Sequence, residues 1–101
     1  MSYEILLTAR AEARLFAIPD EFRTIIEQRL LELAEAPVSL SRSAVFPYPE
    51  GGQLYEFDVD YGGLDWDHFA ILFRYGQDEA TLVVIGIGHS KLRRHDDRED
   101  G

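Results

Sequence analysis

The spacing of apolar residues along this chain changes character from one segment to the next, and each change predicts an element. Tyr3 to Leu7 is a short apolar run closed by Thr8, which reads as an opening strand. Thr8 then stands where a helix N-cap belongs, ahead of Ala9, Ala11, Glu12, Ala13, Leu15 and Phe16. Ile18-Pro19-Asp20 breaks that helix and starts another. The residue before a proline is pushed out of the helical region, whereas proline itself fits a helix's first turn. Phe22, Ile25, Ile26, Leu30 and Leu33 follow at helical spacing, up to a stop before Pro37. The pair predicts an αα-hairpin.

Residues 37–52 hold Pro37, Pro47, Pro49 and Gly51-Gly52, a loop with a short helical turn expected around Leu40 to Val45. Strict alternation follows: Tyr55, Phe57, Val59 and Tyr61 on one face, Glu56, Asp58 and Asp60 on the other. That is a half-buried strand. Gly62-Gly63 opens a turn, His68 to Tyr75 reads as a strand, and Gly76-Gln77-Asp78-Glu79 connects it to a third. Ala80 to Ile87 is an unbroken β-prone run, expected as the central, best-covered strand. The predicted architecture is α+β, in the order β-α-α-β-β-β. One antiparallel-rich sheet carries the αα-hairpin on one face and leaves the other open. A single domain is expected over residues 1–94, with a charged, fraying tail over 95–101.

Composition narrows the chemistry. With 101 residues, 46% of them apolar, there is room for one core. No cysteine means no disulfide, no iron–sulfur cluster, no thiolate zinc site and no cysteine nucleophile. No apolar run suits a membrane helix, and the start lacks a signal peptide's basic flank, so the cytoplasm is the expected location. Nineteen acidic residues against ten basic ones give a charge of −9, which repels polyanions on average. Between Arg42 and Arg74 the chain has no Lys or Arg.

Three stretches carry a resemblance. YEILLTARAEARLFAIPDEFRTIIEQRLLELAEAP, GGQLYEFDVDY and HFAILFRYGQDEATLVVIGIGHSKLR are similar, in order and spacing, to the RelE/ParE toxin superfamily over roughly residues 3–94. The resemblance implies a toxin-like protein of a bacterial type II toxin–antitoxin system. Some members cleave messenger RNA on the ribosome, and others inhibit DNA gyrase. The ribonuclease members place Arg and Lys on the open sheet face, because cleavage needs a proton acceptor, a proton donor and cations for the phosphoryl charge. Here the strand that usually reads Tyr-Arg-x-Arg reads Tyr55-Glu56-Phe57-Asp58. The next strand's usual Tyr-Arg falls at Phe69-Ala70, and the Arg after Gly88-His89 is Ser90.

Candidate residues follow from what remains. Histidine is the side chain best suited to proton transfer near neutral pH, so His89 and Arg74 are the candidate catalytic residues, with a hydrogen-bonded structural residue the alternative for His89. Lys91, Arg93 and Arg94, with His95 beside them, are candidates for contacting phosphate or a partner; a solvated charged segment is the alternative. His68 and Arg74 share a strand face and can pair across strands with Glu56, Asp58 or Asp60. Trp66, between Asp65 and Asp67 in an expected turn, is either an interaction anchor or a lid on the core. The acidic run fails the calcium-loop pattern at Gly62 and Phe69, so no metal site and no cofactor are expected, though segment 56–67 leaves a weak cation site open. The favoured expectation is a toxin-family protein acting through protein binding, with an antitoxin-like partner on the open face. Direct nucleic-acid binding and membrane association are not expected. A ribosome-dependent messenger RNA endonuclease and a non-toxic interaction module are the alternatives.

Overall fold

The computed structural model describes residues 2–45 and 48–93. Pro47, Arg94, His95 and the tail 95–101 lie outside the described residues. Strand β1 (Glu4–Leu7) leads through Thr8 into helix α1 (Ala9–Ala17), and the Thr8 side chain accepts from the Ala11 N–H, as an N-cap does. Ile18 and Pro19 end α1 and open helix α2 (Asp20–Glu35). Arg23 ties the two helices together: its guanidinium donates to the carbonyls of Leu15, Phe16 and Ile18, and pairs with Asp20 at 2.9 Å. The helical turn α3 falls at Pro37–Leu40, earlier than the sequence suggested, because Pro37 takes a first-turn position. A two-residue strand, β2 (Arg42–Ser43), occupies what was expected to be loop.

The remaining strands are β3 (Gln53–Val59), β4 (Asp65–Tyr75) and β5 (Thr81–Arg93). Together they form a five-stranded sheet in the order β1-β5-β4-β3-β2, parallel only between β1 and β5. The α+β architecture therefore holds, with an added edge strand. Strands β4 and β5 are longer than expected, reaching back to Asp65 and on to Arg93 because they pair with each other along their whole length. Trp66 accordingly sits in β4 and not in a turn, half-buried, opposite Leu92. Tyr61, expected on the buried face, lies beyond the end of β3 and is 75% exposed.

Both helices cover one face of the sheet. Leu15, Ile18, Phe22, Ile26, Leu30 and Leu33 pack on Tyr55, Phe57, Phe69, Ile71, Phe73, Leu82, Val84 and Ile87. One irregularity decides which residues of β5 join them. Leu72 pairs with Gly86 but Phe73 pairs with Val84, so Ile85 is an extra residue without a partner opposite. Side chains alternate between faces along a strand, so one extra residue reverses the parity beyond it. Leu82 and Val84 face the helices before this bulge; Ile87 and His89 face them after it. No described helix is long and apolar enough to cross a membrane.

Candidate functional site

The face without helices is built by alternate residues of β3, β4 and β5. Period-two alternation sends Glu56 and Asp58 outward from β3, His68, Ala70, Leu72 and Arg74 outward from β4, and Gly86, Gly88 and Ser90 outward from β5. In the middle, Ala70 and the glycines leave the surface low. On the β3 side, four charged groups close into a chain. Arg42 Nη2 donates to Glu56 Oε1 at 2.5 Å, His68 Nε2 lies 3.1 Å from Glu56 Oε2, and His68 Nδ1 lies 2.6 Å from Asp58 Oδ1. The expected cross-strand pairing of His68 with these carboxylates is present; the contribution of Arg42 was not foreseen. A strand of two residues has no readable period, and Arg42 reaches Glu56 across fourteen positions of sequence.

The network polarises its members. The Asp58 hydrogen bond, helped by Glu56, raises the His68 pKa above its usual 6.5, against the pull of partial burial. The Arg42 hydrogen bond lowers the Glu56 pKa below 4.5, with partial burial opposing it. A raised folded-state pKa means that stability from His68 is fully present below about pH 6.5 and is lost as pH rises through the higher folded value. These groups are partly exposed, so the effect is about 1 kcal/mol or less. Thermal melts between about pH 6 and pH 8 should show a decline with rising pH that His68→Gln flattens. A decline of the same size in the variant would place its origin elsewhere.

His89 lies on the opposite face. Its ring stacks on Phe69 at 4.5 Å and 10°, meets Phe22 at 5.4 Å, and has Nε2 2.7 Å from Asp67 Oδ1. Asp67 is 6% exposed. The structure therefore does not bring His89 and Arg74 together: the sheet lies between them. Lys91 and Arg93 share the side of His89, opposite Asp67 and Asp65, with Arg93 Nε 3.9 Å from Asp65 Oδ1. Trp66 faces the open side near the end of the β4–β5 ribbon. The carboxylates of the acidic run are dispersed. Asp58 holds His68, Asp67 holds His89, and Asp60 accepts from the Gly62 N–H at 2.8 Å.

A second feature escaped the sequence. Beyond Leu7, β1 no longer covers the edge of β5, and α1 runs beside it with Arg10 and Arg14 on that side. Arg14 Nε donates to the Ile87 carbonyl at 3.4 Å. Together with Tyr48, Pro49, Leu72 and Ile85 they line a cleft of about 760 Å³ that has no carboxylate among its described lining residues. Arg10 and Arg14 are one helical turn apart, a spacing that could have flagged them as a pair.

Solved structures similar to this chain include RelE toxins and their antitoxin complexes. The RelBE2 toxin–antitoxin complex of Mycobacterium tuberculosis superposes with a TM-score of 0.65 at 17% identity, covering 89% of this chain and all of that one. A free Escherichia coli RelE carrying two arginine-to-alanine replacements gives 0.60 at 16%, over 87% and 83% of the two chains. The intact E. coli RelBE complex gives 0.60 at 14%, over 94% and 99%. No family model matches the chain, and no curated protein matches its sequence. The fold is RelE-like.

Proposed function

We propose that this chain is the toxin-like member of a toxin–antitoxin-type pair, working in the cytoplasm, and that it acts by binding a protein instead of cutting RNA. The observation that carries the reading is the Arg42–Glu56–His68–Asp58 chain on the open face. A phosphate approaching His68 there meets two carboxylates, and the one arginine in reach among the described residues, Arg42, is paired with Glu56. RNA affinity comes largely from Lys and Arg neutralising phosphates, and cleavage needs cations where charge develops. The described residues supply neither at this place. His89, the other candidate proton carrier, is held by Asp67 between Phe69 and Phe22. Two of the neighbouring structures are complexes of RelE-type toxins with their antitoxins, which supports an antitoxin-like partner here. Given a charge of −9, that partner's contact segment is comparatively basic.

The endonuclease reading draws on the Arg10–Arg14 cleft, where the only charged groups among the described lining residues are two arginines. Induction of the protein in bacteria, with growth and message integrity followed together, separates the two. Growth arrest with intact messages is expected. Messages cut on induction, with cutting lost in Arg14→Ala, would establish the endonuclease. Healthy growth would leave a non-toxic interaction module.

A further inference from the structure

The strongest unassigned surface is the outer edge of β1 with the groove beside it. Among the described residues no strand pairs with that edge. Glu4 and Thr8 point their N–H groups inward, at the carbonyls of Ala80 (2.9 Å) and Val84 (3.0 Å) of the neighbouring strand segment. Backbone groups alternate sides along a strand, so the N–H and C=O groups of Ile5 and Leu7 point outward. A bare edge of this kind is a template for another strand, and proteins usually guard it with a charge or a proline. Here the only charged residue of β1 is Glu4.

Side chains on both flanks of the edge are apolar. Leu6, on the open face, is 47% exposed. On the helix side, two adjoining clefts of about 420 and 680 Å³ share Ile5 and Leu31, with Leu15, Phe16 and Leu30 completing the floor. Phe16 is 61% and Leu31 69% exposed. The rim is acidic, formed by Glu12, Glu27, Glu32 and Glu35. Arg29 Nη1 meets Glu32 of this rim at 3.3 Å, and Arg23, over the Phe16 ring, is paired with Asp20, so the rim's surplus of charge rests on Glu12, Glu27 and Glu35.

We propose that this edge takes an extended, lysine- or arginine-flanked segment of a partner protein as an added strand. The segment's alternate apolar side chains enter the groove and cover Leu6, its backbone pairs with Ile5 and Leu7, and its cations meet the glutamate rim. A second copy of this chain fits poorly, because it would bring one glutamate rim against another. The proposal rests on the partner-binding reading and adds the place and chemistry of contact.

The test uses the full chain and a labelled peptide of alternating valine and threonine flanked by lysines, followed by fluorescence anisotropy. Its glutamate-flanked counterpart should not bind, and N-methylation of alternate peptide amides should abolish binding. Leu31→Ser should weaken binding about tenfold, while Tyr61→Ser, an exposed apolar residue elsewhere, should leave it unchanged. Both positions are exposed, so neither change should unfold the chain. Binding indifferent to N-methylation or to Leu31→Ser overturns the proposal, as does a homodimer in sedimentation that Leu31→Ser dissociates. Peptide capture with healthy growth on induction would keep this surface and remove the toxin reading; growth arrest without peptide capture would do the reverse.

Discussion

Phe69→Ala should cost the domain about 3–5 kcal/mol, the range for emptying a fully buried aromatic site. Phe69 is 0% exposed and lies where three rings converge: Phe22 and Phe57 at 5.4 Å and His89 at 4.5 Å. It joins α2 to both inner strands of the β3–β4–β5 hairpins, so its neighbours, fixed by ladder pairing, cannot easily close the hole. A domain of this size has about 5–15 kcal/mol in total, so the variant should retain a fraction of the parent's stability. Urea denaturation followed by tryptophan fluorescence and circular dichroism checks it. A loss below about 1 kcal/mol would mean that this ring cluster is not packed as described.

The second large effect concerns His89. If its place is structural, His89→Ala and Asp67→Ala should each cost about 2–3 kcal/mol, from a hydrogen bond to a carboxylate at a nearly buried site plus the lost stacking on Phe69. The two losses should not add. With the pair already broken, the second substitution should cost clearly less than it does alone, giving a coupling of about 1–2 kcal/mol in a double-mutant cycle. A surface histidine kept free for proton transfer would behave otherwise: its removal would leave stability unchanged and the cycle would be additive. Denaturation of the four proteins of the cycle decides between these.

Local signals in the chain were strong wherever a short range of residues settles the matter. Thr8 ahead of an alanine-rich run, Ile18-Pro19-Asp20 and the alternation from Tyr55 to Val59 each specify their element through neighbours in sequence, and each stands in the structure. What sequence could not supply is relations between distant residues. Arg42 meets Glu56 only because β2 folds back beside β3, and Asp67 meets His89 only because β4 and β5 stay paired to their ends. The face on which His89 lies was the least legible of all. Val83 to Ile87 is apolar apart from Gly86, so no alternation marks where the extra residue sits, and a count of odd and even positions from Leu82 would carry His89 to the open side.

That single unopposed residue, Ile85, has a consequence for how proteins of this fold diverge. The outward chemistry of a strand's second half need not change one side chain at a time. Gaining or losing one codon upstream exchanges the whole set, so that Gly86, Gly88 and Ser90 trade places with Ile87, His89 and Lys91. Two relatives could then share nearly every letter of this segment and still present different groups to whatever approaches the sheet, with insertion length acting as the switch and residue identity merely following it.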